Sequence, residues 1–127
     1  MRDLASNLKI LPALQPAVQA ATVNGAAIDL LGYGSAAFVL TTGAIAGSGD
    51  FGAKLQESDV SGSGYTDVAA VDQVGSFTAT AVADATAKVS YIGHKRYARL
   101  VLTKASGTSI AAGAIAILHH ATTRPVA

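Results

Sequence analysis

The chain has 127 residues, enough for one domain around a single modest core. Half of them are hydrophobic, but only seven are Phe or Tyr and none is Trp, so alanine carries much of the apolar content. The absence of cysteine excludes disulfides, thiolate chemistry and cysteine-based zinc sites and suits a reducing cytoplasm. A net charge of +1 argues against a dedicated nucleic-acid binder, and the longest late apolar run, IAAGAIAIL, is about half the roughly 20 residues that a membrane span needs.

Burying alanine removes little surface from water, so the core is expected to be thin and completed by partner subunits. Charge is unevenly distributed. All eight acids lie at or before Asp84 with three bases, a net −5, and six bases with no acid follow it, a net +6. Such halves can pair within one sheet or make subunits complementary to each other or to a scaffold.

In chain order, residues 1–24 stand apart. Leu4, Leu8 and Leu11 fit one helical face, but Pro12 and Pro16 would end it, and proline suits an extended edge better. The segment reads as an extended arm, held by a neighbouring subunit. Asp3, Gln15 and the prolines interrupt what would otherwise resemble a signal peptide ending in VQAA, so secretion by that route is not expected.

Residues 25–120 read as short strands. SAAFVLTTG is an apolar run, and DFGAKLQES alternates, with Phe51, Ala53 and Leu55 on one face. SDVSGSGYTDV is a turn, VDQVGSFTATAV, AKVSYIG, YARLVLTK and GAIAILHH continue the series, and KASGTSIAAG is a loop between the last two. Ala98, Leu100 and Leu102 share a face. Many short strands between turns indicate an all-β sandwich or barrel of about eight antiparallel strands, followed by a tail over 121–127.

Chemical motifs are sparse. Gly47-Ser48-Gly49-Asp50-Phe51-Gly52 matches a dinucleotide fingerprint, but an alternating strand follows it where a helix is required, so it reads as a hairpin turn. Asp50, Glu57, Asp59, Asp67 and Asp72 lack calcium-loop spacing. His119 and His120, adjacent on a strand, are expected on opposite faces, unable to converge on a metal. No catalytic constellation, metal or cofactor is expected.

The segment YIGHKRYARLVLT gathers His94, Lys95, Arg96 and Arg99 with Tyr91 and Tyr97. Bases and aromatics together can stack on single-stranded nucleic acid, satisfy acids on adjacent strands, or contact another protein. The scarcity of aromatics elsewhere disfavours a nucleic-acid platform, and an interface is the preferred reading.

Three segments, GAIAGSGDFGAKLQESD, YTDV and YIGHKRYARLVLT, preceded by NLKILPALQPA, resemble small proteins encoded beside the major capsid protein in tailed bacteriophages. The shared features are an acidic, glycine-containing turn after LQES and a strand start with Tyr91, Gly93, Arg96, Tyr97 and Arg99. The resemblance implies a capsid cement or decoration protein with a jelly-roll-like sandwich, assembled in the host cytoplasm and bound to the outer capsid surface of the virion.

It implies partners in the major capsid protein and in copies of the chain itself (dimer or trimer), with no nucleic acid and no membrane. Leu8, Ile10 and Leu11 are then expected in an arm contact. Lys95, Arg96 and Arg99 are expected to meet carboxylates of a neighbour or of the capsid, with Tyr97 in the same interface. A head–tail connector or tail protein, and a carbohydrate-binding or adhesion sandwich, are the alternatives.

Overall fold

The computed structural model describes residues 1–122. Ten strands form: β1 (Lys9–Gln19), β2 (Val23–Asn24), β3 (Ile28–Asp29), β4 (Tyr33–Ala46), β5 (Asp50–Ser58), β6 (Thr66–Asp67), β7 (Gln73–Val74), β8 (Thr86–Tyr91), β9 (Tyr97–Ser106) and β10 (Ser109–Ala121). Short 3₁₀ turns occur at Ala5–Asn7 and Ala70–Asp72.

One sheet has the order β1-β10-β4-β8-β7 and the other β2-β9-β5-β6, with β3 also on β9. Every pairing is antiparallel. The first strand therefore pairs with the last, and β2 and β3 pair with the last but one. This nesting of chain ends across two sheets is a jelly roll. The all-β sandwich expected from the sequence is present, although four strands have ten residues or more.

Alternation sets which face is buried. Ala36, Phe38, Leu40 and Thr42 of β4 point inward, opposite Phe51 and Leu55 of β5 and Ala98, Leu100 and Leu102 of β9. Ala112, Ala114 and Ala116 of β10 fill the same cluster. The larger of these side chains each contribute about 1.5–3 kcal/mol by burial. The expectation of a thin core holds only in part, because Phe38, Phe51, Leu100 and Leu102 are fully enclosed within one chain.

Several boundaries differ from the sequence reading. Residues 1–24 are not a separate arm: Lys9–Gln19 is the edge strand of the first sheet, paired along its length with β10 of the same chain. Bulges between Pro12 and Leu14 and between Leu14 and Ala17 accommodate the prolines and turn the consecutive residues Ala13 and Leu14 both into the core.

In VDQVGSFTATAV only Gln73–Val74 is strand. Val71 and Asp72 close the preceding 3₁₀ turn, and residues 75–82 are a loop tied down by the buried Thr42 hydroxyl, which donates to the Val82 carbonyl at 2.5 Å and accepts from the Ala85 N–H at 3.1 Å. The loop expected over KASGTSIAAG shrinks to Gly107-Thr108, because β9 and β10 extend into it. Of the tail over 121–127, Ala121 ends β10, and residues 123–127 lie outside the described residues.

Candidate interface surfaces

Residues of LQES, YTDV and the Tyr91–Arg99 segment come together in space. Tyr91 on β8 and Glu57 on β5 both point inward from different sheets, and the Tyr91 hydroxyl donates to Glu57 Oε2 at 2.6 Å. The same hydroxyl accepts the Lys95 N–H at 3.0 Å. Burial first, and then the bond to Glu57, pushes the Tyr91 phenol above its ordinary range. Gly93 lies against the ring: a Cβ there would collide with the Tyr91 hydroxyl. The Y-x-G spacing thus serves a buried inter-sheet bridge.

On the outside of the second sheet, Arg99 Nε and Nη2 both donate to Gln56 Oε1, at 3.0 and 2.8 Å, and the guanidinium lies 4.0 Å above the Tyr65 ring. Gln56 in turn donates to Asp67 at 2.9 Å, and Asp67 pairs with Lys54 at 3.0 Å. These two hydrogen bonds hold the Asp67 carboxyl below its usual range. Residues of LQES, YTDV and the Tyr91–Arg99 strand start therefore lock one another in place.

The basic cluster is engaged within the chain. Lys95 pairs with Asp59 at 2.9 Å. Arg96 forks onto Asp29 through Nε at 3.0 Å and Nη2 at 2.9 Å, with its guanidinium 5.1 Å from the Tyr97 ring centre. Lys95, Arg96 and Arg99, expected at carboxylates of a neighbour or of the capsid, each have an acid or amide partner within the same chain. Two late bases, Lys95 and Arg96, reach early acids, so part of the charge asymmetry pairs within one molecule. A hollow of about 410 Å³ beside Tyr33 and His94 has Asp59, Lys95 and Arg96 in its lining.

The outer face of the first sheet is chemically different. Residues of β10 that point away from the core are Ala111, Gly113, Ile115 and Ile117. Their neighbours across the strands include Pro12 and Val39 beside Ile115, and Ile10 and Ala37 beside Ile117. Val18 flanks Ala111 and is 71% exposed; Ile10 is 55% and Ile115 39% exposed. A shallow depression of about 820 Å³ opens here, and none of its lining residues is charged. Lys88, beside Val39 on β8, marks its border.

Of the arm residues singled out, Ile10 belongs to this face, Leu11 packs against the chain's own core, and Leu8 is half-buried. Sequence reasoning missed Pro12, Val18, Val39 and Ile115. The available signal was IAAGAIAIL itself. A strand that is apolar on both faces reads as covered on both.

His119 and His120 are a correction. Their ring centres are 4.2 Å apart, because His120 has a φ of 52° and the strand alternation breaks there. No group of three or more His, Cys, Asp or Glu among the described residues is arranged to hold a metal ion. Gly47-Ser48-Gly49 forms a tight turn with positive φ at Gly47 and Ser48. It joins β4 and β5, which lie in different sheets, so it is a crossover and not a hairpin.

No family model and no curated protein matches the chain. Among solved structures, "Structure of infectious bursal disease virus Gx strain" is similar to it, with a TM-score of 0.44 and 14% identity. The match covers 93% of this chain and 33% of that one, so the chain spans about a third of that protein's length. A likeness this distant assigns neither family nor function.

Proposed function

We propose that this chain is a structural virion protein, a cement or decoration protein of a tailed-phage capsid that acts by the surfaces it shares and performs no chemistry of its own. The observation that carries the reading is the uncharged outer face of the first sheet, centred on Ile115 in a strand that is apolar on both sides. Soluble monomers rarely leave such a contiguous face in water, and its exposure marks a contact surface. The polar residues of the recurrent motifs, in contrast, are consumed in bracing the sandwich, as a rigid clamp requires.

The phage resemblance of LQES, YTDV and the Tyr91–Arg99 segment supplies the kind of assembly. A cement protein adds contact area at capsomer junctions, and repetition over the lattice multiplies modest interfaces. Co-sedimentation of the purified protein with expanded tailed-phage capsids tests this. The reading expects saturable binding spread over the whole shell and raised capsid thermal stability. Binding confined to one vertex would favour a connector or tail part, and absence of binding would refute a capsid role.

A further inference from the structure

We infer that the uncharged outer face of the first sheet binds a second copy of this chain, face to face about a two-fold axis. The inference rests on reading that face as a contact surface, and it names the partner. Charge is the first argument. The face has no carboxylate, ammonium or guanidinium inside its border, so its own duplicate covers it without burying an unpaired charge. The outer face of the second sheet, which displays Lys54, Asp67 and Arg99, is a poor match for it.

Edge geometry is the second argument. β1 is the exposed edge of the sheet, but Pro12 and Pro16 remove two backbone donors and bulges break its register. A partner strand cannot add smoothly along that edge, which leaves the face.

Shape is the third. The depression is lined by larger side chains, Ile10, Pro12, Ile115 and Val39, and by the small residues Gly113, Ala111 and Gly43, and Pro16 leans over Gly113 so closely that a Cβ there would lie 3.0 Å from it. A two-fold operation allows the larger side chains of each copy to pack over the small residues of the other, the self-complementarity that an isologous interface demands. Three strands, β1, β10 and β4, about 4.8 Å apart over the length of β10, give a face of roughly 500 Å². Two such faces cover on the order of 1,000 Å², where specific interfaces begin.

Sedimentation equilibrium and cysteine crosslinking test the proposal. The wild-type protein is expected at twice the 12.7 kDa chain mass. Ile115→Lys, at a position exposed in the single chain, is expected to keep the far-UV spectrum and melt while weakening the dimer about a hundredfold or more. Because the chain has no cysteine, Val39→Cys and Ala111→Cys can be oxidised singly. At least one is expected to give a covalent dimer, and Lys54→Cys on the opposite face none.

A wild-type mass of one chain, or dimers that persist in Ile115→Lys and crosslink through Lys54→Cys, would overturn the proposal. Capsid co-sedimentation separates its failure from that of the cement reading. A monomer that coats capsids and loses them on Ile115→Lys overturns the dimer alone, whereas a dimer that ignores capsids supports the dimer and overturns the cement role.

Discussion

Tyr91 of β8 and Glu57 of β5 meet at 2.6 Å across the interior, joining the two sheets by a hydrogen bond that neither sheet's ladder supplies. Tyr91→Phe leaves the buried carboxylate without this donor and the Lys95 N–H without its acceptor. Chemical denaturation is expected to show a loss of about 1–3 kcal/mol. In a double-mutant cycle with Glu57→Gln, the double mutant should lose less than the sum of the two single losses.

The same pair sets an alkaline limit. The phenol titrates higher in the folded protein than its ordinary value of 10.0, so the folded state holds that proton more tightly. Stability from this group is complete below pH 10.0 and declines as the pH rises toward the folded value. A urea midpoint measured against pH is expected to fall above 10 in the wild type and to fall less in Tyr91→Phe.

Gly93→Ala puts a methyl group where the Tyr91 hydroxyl lies. The ring must move off Glu57, and a loss at least equal to that of Tyr91→Phe, about 1–3 kcal/mol, is expected. Tyr91→Phe does not relieve the clash, because Cε1 and Cζ of the ring also lie 2.6 Å from the added methyl, so Gly93→Ala is expected to cost clearly less only in a Tyr91→Ala background, which removes all three atoms. Additive losses in the melts would contradict the clash.

Much of the architecture was legible because alternation is a local signal: Phe51 with Leu55, and Ala98 with Leu100 and Leu102, face the core as their spacing indicates. Residues 1–24 misled because proline argues against a central strand, whereas β1 is an edge strand whose bulges absorb both prolines. The His119–His120 contact was hidden because it depends on a positive φ at His120, which no pattern of side chains reveals.

The basic cluster was visible as a cluster, but its partners, Asp29 and Asp59, are distant in sequence and only the rolled topology delivers them. The neutral face was written in β10 all along, but alanine and glycine make little show on a hydropathy scale.

Arg99 holds Gln56 with two donors while stacking on Tyr65. Lysine keeps the charge but has neither the fork nor the plane. Arg99→Lys is therefore expected to destabilise nearly as much as Arg99→Ala, about 1–2 kcal/mol. Equal stability of Arg99→Lys and wild type in thermal melts would show that charge alone matters there.

Asp29 has its carboxyl held below the ordinary range by Arg96, whose guanidinium donates to it, and by the Leu31 N–H. Its contribution is present above pH 3.8, the ordinary carboxyl value, and disappears as the pH falls toward the folded value. Both partners are about half exposed, so the contribution is small and salt-screened. Arg96→Ala is expected to leave the neutral-pH melt nearly unchanged and to flatten the acid limb. A large loss at neutral pH in high salt would contradict this.

The most direct test of the account as a whole is electron cryomicroscopy of expanded tailed-phage capsids mixed with this protein. Ordered jelly-roll density repeated over the outside of the shell is the result predicted for a cement protein. Bare shells with the protein left free in solution would contradict it.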